Sequence, residues 1–150
     1  MEDNRRIRIC AVVFIHNQKV HTMRFTLSEV LAANGRTIET TPPEICKNLE
    51  DLISRVNCLG FQPPMYCSSG YRDPEYNKKI GGATKSAHCQ GKAIDIKDPQ
   101  GLLKKFLLRN TQLLKKYELR MEEPESTGGL NGGWCHLDTM PVKFRRIFRP

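Results

Sequence analysis

Two histidines and one aspartate in this 150-residue chain are candidates for joint chemistry. His88 and Asp95 share the stretch KSAHCQGKAIDIK (Lys85 to Lys97), and His136 lies in GWCHLDT. Asp95 interrupts a strand-like run, GKAIDIK, where an acid disfavours folding unless something outside the core needs it. Two imidazoles and a carboxylate are the donor set of a catalytic zinc, which keeps its fourth tetrahedral position open for water. Structural zinc sites close all four positions, usually with cysteine. Spacing alone leaves the choice open, since the three read equally well as ordinary polar residues with Asp95 capping a turn.

The elements that must position them follow from periodicity. Side chains alternate faces along a strand. In KAIDIK, Ile94 and Ile96 share one face and Ala93, Asp95 and Lys97 the other. In WCHLDT, Cys135 and Leu137 share one face and Trp134, His136 and Asp138 the other. Each strand therefore offers an apolar face to a core and an acid or imidazole to a cleft. His88 falls in the loop before the first of them, where Gly91 permits a turn.

Upstream, RIRICAVVFI and KVHTMRF predict a hairpin. TLSE (Thr26 to Glu29) is a capping box opening a short helix that Gly35 ends. TPPE (Thr41 to Glu44) repeats the signal, with proline in the first turn. Behind it Ile45, Leu49, Leu52, Ile53 and Val56 fall on one helical face up to Gly60. PPMYCSS predicts a strand and DPEYNKKI a short helix capped by Asp73. DPQGLLKKFLLRNTQLLKKY predicts a helix capped by Asp98 with a leucine face through Leu114. LRMEE, GWCHLDT and VKFRRIF predict three closing strands. The fold class is therefore α+β: two or three helices packed on an antiparallel sheet, in one domain over residues 1–150.

Hydrophobic content of 39% and charged content of 27% describe a globular chain. No apolar run approaches the ~20 residues of a membrane helix. The N-terminus imitates a signal peptide, but its apolar part spans only Cys10 to Ile15 and no small-residue cleavage site follows, so no secretion address is expected. The cysteines (Cys10, Cys46, Cys58, Cys67, Cys89, Cys135) form no CxxC pair, which argues against zinc ribbons and redox motifs and favours free, mostly buried thiols. The net charge of +8 favours an anionic partner, whether nucleic acid, membrane surface or cell-wall polymer. KFRRIFR near the C-terminus concentrates that charge on an expected edge strand, for which a solvated basic edge is the simpler account.

SAHCQGKAID fits the pattern Ser-x-His-x-x-Gly-x-Ala-x-Asp through Ser86, His88, Gly91, Ala93 and Asp95. SSGYRDPEYNKKIGGATKS precedes it and GWCHLDT follows. In that order these segments resemble the M15 zinc peptidases, the D-alanyl-D-alanine carboxypeptidase and phage-endolysin family with a Hedgehog-like α+β fold. The resemblance runs from Phe25 to about Thr139, leaving 1–24 as an N-terminal extension outside it. It implies zinc, with His88, Asp95 and His136 as ligands, and metal-assisted hydrolysis of a peptide bond in peptidoglycan stem peptides. It also implies a substrate- or oxyanion-binding role for Arg72, which composition alone would read as a surface salt bridge. Ser86 either hydrogen-bonds substrate or shapes the ligand loop, and we favour the second.

One position departs from the pattern. Many members carry a catalytic glutamate three residues before the last histidine ligand, where this chain has Gly133. The general base is then expected elsewhere: Glu122, in RMEEP before the STGGLNGG loop, is slightly preferred to Asp138, which shares the face of His136. Either acid serves as well by orienting a ligand imidazole. Small size, positive charge and the absence of a signal suit a phage-type lysin acting on the cell wall, with anionic wall polymers as further partners. The alternative is a domain that keeps zinc without catalysis and binds wall or nucleic acid. Nucleic acid is not the expected partner, since no aromatic-interleaved basic motif appears.

Overall fold

The computed structural model describes residues 25–150. The hairpin and the strand-like CAVVFI run expected in residues 1–24 lie outside the described residues. Among the described residues, no helix is long and apolar enough to cross a membrane.

The chain runs α1 (Leu27–Ala32), α2 (Pro43–Asn57), β1 (Cys67–Ser69), α3 (Pro74–Lys79), β2 (Ala93–Lys97), α4 (Leu102–Arg109), α5 (Thr111–Lys116), β3 (Arg120–Glu122), β4 (Trp134–Asp138) and β5 (Ile147–Phe148). The strands form one sheet of order β1-β2-β4-β3-β5. The two strands expected to carry chemistry, β2 and β4, are adjacent and antiparallel, with Asp95 opposite His136 and Ala93 opposite Asp138. The fold is α+β, with two departures from the expectation. The described residues hold five α-helices rather than two or three, and the sheet is not wholly antiparallel, since β5 runs parallel to β3.

Local chemistry accounts for most helix ends. Thr26 and Glu29 close a reciprocal capping box on α1, and the Asp73 carboxylate accepts from the Tyr76 amide at the start of α3. The expected cap at Thr41 does not form. Proline occupies both 42 and 43, which moves the cap position to Pro42, and the Thr41 hydroxyl instead donates to the Thr37 carbonyl at 2.7 Å. The single helix expected after Asp98 is two, broken at Asn110, whose side chain turns back to donate to the Phe106 carbonyl. Asp98 still caps α4 from upstream, its carboxylate accepting from the Leu103 and Lys104 amides. Of VKFRRIF only Ile147 and Phe148 pair; Val142 and Phe144 are exposed off the sheet, Phe144 at 97%.

The core lies between the helices and one face of the sheet. Val30 and Leu31 of α1 and Leu49, Leu52, Ile53 and Val56 of α2 join a buried cluster with Ile94, Ile96, Cys135 and Leu137, completed by Leu103, Leu107, Leu114 and Met121. The alternation of β2 and β4 is as expected. Burying that apolar set fixes the register, because a slip of one residue would put Asp95 and His136 into the core.

Candidate active site

The opposite face of the sheet carries the polar row. Asp95 of β2 pairs with His136 of β4. The β3 register, Arg120 to Asp138 and Met121 to Leu137, carries Glu122 towards His136, and Glu122 in turn pairs with Phe148 of β5. Directly opposed residues share a face, so four neighbouring strands present Asp95, His136, Glu122 and Phe148 side by side. Beside that row lies a second, Ala93, Asp138 and Arg120.

His88 reaches the same point from a one-turn 3₁₀ segment, Ala87–Gln90. The Ser86 hydroxyl opens it by accepting from the His88 amide at 3.3 Å. The His88 imidazole is buried, and its Nδ1–H donates to the Gly70 carbonyl at 2.7 Å, so that Nε2 faces the Asp95 carboxylate at 3.2 Å. The Ser-Gly-Tyr-Arg segment thus holds the His88 loop by two contacts, since the Arg72 amide also donates to the His88 carbonyl at 3.2 Å. Glycine at 70 is a packing requirement: a Cβ there would stand 2.7 Å from the Val30 carbonyl oxygen of α1.

His136 lies between two acids. Its Nδ1 is 2.8 Å from an Asp95 oxygen and its Nε2 3.2 Å from an Asp138 oxygen. Burial works against a charged imidazole, but hydrogen bonds to Asp138 and Asp95 and their charges prevail and push it up to about 9. Burial would raise the Asp95 carboxyl, yet hydrogen bonds and charge from His136 and His88 hold it well below the usual range. Asp138 is fully buried and also held low against the effect of burial, by His136 and by Arg120, whose Nε and Nη2 donate to its two oxygens at 2.7 and 2.8 Å. Glu122 differs. Burial raises its carboxyl, the His136 charge opposes this, and the charges of Asp95, Asp138 and Glu123 add to the rise.

One ligand atom from each of His88, Asp95 and His136 can be chosen so that all lie within 4.8 Å of one another. This fits a zinc ion on chemical grounds. His88 offers Nε2 because Nδ1 is engaged by a carbonyl, and His136 offers Nδ1 because Nε2 faces a carboxylate, which is the outer-shell arrangement that orients ligand imidazoles. His88, Asp95 and His136 form the floor of a cavity of about 470 Å³, with Arg72, Lys85, Glu122, Trp134, Met140 and Phe148 among its walls. The Nε–H of Arg72 is buried with no acceptor among the described residues.

The family model described as Peptidase M15 matches residues 23–120. The chain belongs to the M15 peptidases. The match includes Arg72, Ser86, His88 and Asp95 and ends before Glu122, His136 and Asp138 of this M15 peptidase, which the sheet register brings to the same place. No curated protein matches the chain. Among solved structures, it is similar to the L-Ala D-Glu endopeptidase ChiX of Serratia marcescens, with 15% identity, a TM-score of 0.43 and coverage of 65% of this chain and 87% of that one.

Gly133, where many M15 peptidases are expected to carry glutamate, has φ +69°, and a Cβ there would press into the Thr127 carbonyl oxygen. Its loop is drawn together by Lys104 of α4, a fully buried side chain whose ammonium donates to the carbonyls of Thr127, Gly129 and Gly132. Sequence reading missed Arg120, Phe148 and Lys104. Arg120 carried a signal, because alternation in the expected strand LRMEE puts it on the face of Glu122. Phe148 and Lys104 carried none, because their roles arise from partners far away in the chain.

Proposed function

We propose that the chain is a zinc-dependent peptidase that hydrolyses a peptide bond in the stem peptides of bacterial peptidoglycan, as an endopeptidase or a carboxypeptidase. The observation that carries this reading is the meeting of His88, Asp95 and His136 on the floor of a cavity whose walls hold a half-buried acid, Glu122, and an arginine, Arg72. His88, Asp95 and His136 hold the metal, which when bound supplies Lewis acidity that polarises a carbonyl and makes water easier to deprotonate near neutral pH.

The remaining work falls to the chain. Glu122 is the general base. Its carboxyl is shifted up towards the range where it can both take a proton from the attacking water and return it to the leaving amine. Asp138, the other candidate, is committed to Arg120 and His136 and serves as a positioning residue. Arg72 offers a guanidinium to the charge that grows on the carbonyl oxygen, which matches its unpartnered buried Nε–H. Ser86 shapes the His88 loop through its hydroxyl. Basic residues around the cavity, with a net charge of +8, suit an acidic wall polymer as surroundings for the substrate.

The test is metal content of the purified protein alongside release of muropeptides from purified peptidoglycan, with and without a chelator. The reading expects about one zinc per chain and release that the chelator abolishes and zinc restores. The masses of the products then name the bond. Zinc without release would favour a wall-binding module that has lost its base, and absence of zinc would overturn the reading.

A further inference from the structure

Resting on the reading of His136 as a metal ligand, we infer that Arg120 and Phe148 form a clamp that sets which nitrogen of His136 faces the metal. Asp138 has no exposed surface and gives one oxygen to His136 Nε2 at 3.2 Å, while both its oxygens are held by the Arg120 fork. A carboxylate on a single methylene can rotate; one held by two parallel N–H bonds cannot. Arg120 is fixed from the other side, its guanidinium carbon 4.0 Å from the centre of the Phe148 ring. The same ring meets His136 edge-on, with centroids 6.1 Å apart. Phe148 therefore touches both ends of the chain of contacts Arg120–Asp138–His136.

The arrangement decides orientation, because both His136 nitrogens have a carboxylate to face. With Asp138 fixed as acceptor, Nε2 keeps its proton and Nδ1 is left for the metal beside Asp95. Without the fork, one Asp138 oxygen keeps the Met140 amide at 3.0 Å, but the oxygen that faces His136 loses its fixed donor and with it the preference of the imidazole for one edge. Arg120 ends the segment matched by the family model and Phe148 lies beyond it, so the clamp joins the matched part of the chain to a two-residue edge strand. Arg120 and Phe148 are positioning residues, acting on the metal site through His136.

The experiment compares wild type, Arg120→Met, Phe148→Ala and Phe148→Tyr in the full chain. Zinc affinity is measured by competition with a chromophoric chelator, and the protonated nitrogen of His136 by ¹⁵N-histidine NMR of the zinc-loaded proteins. Arg120→Met is expected to weaken zinc binding about 10- to 100-fold, the usual effect of removing an outer-shell partner. Phe148→Ala is expected to weaken it about three- to tenfold through loss of the cation–π contact, and Phe148→Tyr, which keeps the ring, to restore it. In the zinc-loaded wild type His136 shows one slowly exchanging Nε2–H, which both disruptive variants lose or broaden. Phe148→Ala alters an edge residue, so it keeps the test meaningful if Arg120→Met folds poorly. Variants that bind zinc as the wild type does, with an unchanged His136 signal, would overturn the clamp and leave the metal site standing. A wild type that binds no zinc would overturn both.

Discussion

Replacing Gly133 with alanine tests why this chain lacks a glutamate there. The backbone at 133 sits at φ +69°, a left-handed conformation that costs a residue with a Cβ about 1–2 kcal/mol. The added methyl also meets fixed backbone, pressing on the Thr127 carbonyl oxygen and standing 2.9 Å from Gly128 Cα. Neither neighbour can swing aside, because Lys104 holds the carbonyls of Thr127, Gly129 and Gly132 from within. Overpacking of this kind adds about 1–3 kcal/mol. A total near 3 kcal/mol lowers Tm by about 6–12 °C in a chain of this size. Thermal unfolding of the metal-free protein measures this without any contribution from zinc. A Gly133→Ala protein melting within a degree of wild type would refute the argument. Gly133→Glu is expected to be no less destabilised and to gain no activity, since its backbone is not free to place a carboxylate over the His88–Asp95–His136 cluster.

Glu122→Gln is expected to lower turnover about 10²- to 10⁴-fold with zinc content unchanged, which the release assay and metal analysis read together; activity within a few-fold of wild type would return the role of base to Asp138. Arg72→Ala is expected to cost about 10²- to 10³-fold in kcat if its guanidinium stabilises the oxyanion, and mainly KM if it only binds substrate. Metal-free stability has a signed pH dependence. His136, raised to about 9 from 6.5, contributes fully below 6.5 and loses that contribution as pH rises through 9. Asp95 and Asp138, held low, contribute above 3.8 and lose it as pH falls. Urea midpoints of the apoprotein should therefore fall between pH 6.5 and 9, and a flat profile would count against the paired carboxylates.

The strands of Asp95 and His136 were legible because burial is a local demand. Alternating Ile94 and Ile96 against Asp95, and Cys135 and Leu137 against His136, can be satisfied in only one register. Helix starts were legible where a side chain caps its own backbone, as at Thr26 and Asp73, and misread where prolines displaced the cap, as at Thr41. The break at Asn110 was hidden because leucines continue on both sides of it. The contacts that support the site were less legible: alternation put Arg120 on the face of Glu122, but nothing local names the partner of Arg120 or of Lys104. Arg120 meets Asp138 across 18 residues, and Lys104 meets Gly132 across 28. Lys104 sits in a run of lysines and leucines that reads as a solvated helix face, yet it is fully buried.

The two-residue strand β5 has a consequence for how the site opens. It pairs with β3 over only two residue pairs, and the bonds at its ends run from the Met121 amide to the Arg146 carbonyl and from the Glu123 amide to the Phe148 carbonyl. The ladder between β2 and β4, by contrast, is five residue pairs long and backed by fully buried Ile94, Ile96, Cys135 and Leu137. Opening free energies follow such differences, so the amides at the β3–β5 seam, Met121 and Glu123 among them, should exchange early, and those between β2 and β4 only near global unfolding. When β5 parts from β3, Phe148 leaves both Arg120 and His136, so the wall of the cavity and the hold on His136 loosen together, while His88 and Asp95 stay on the longer β2–β4 floor.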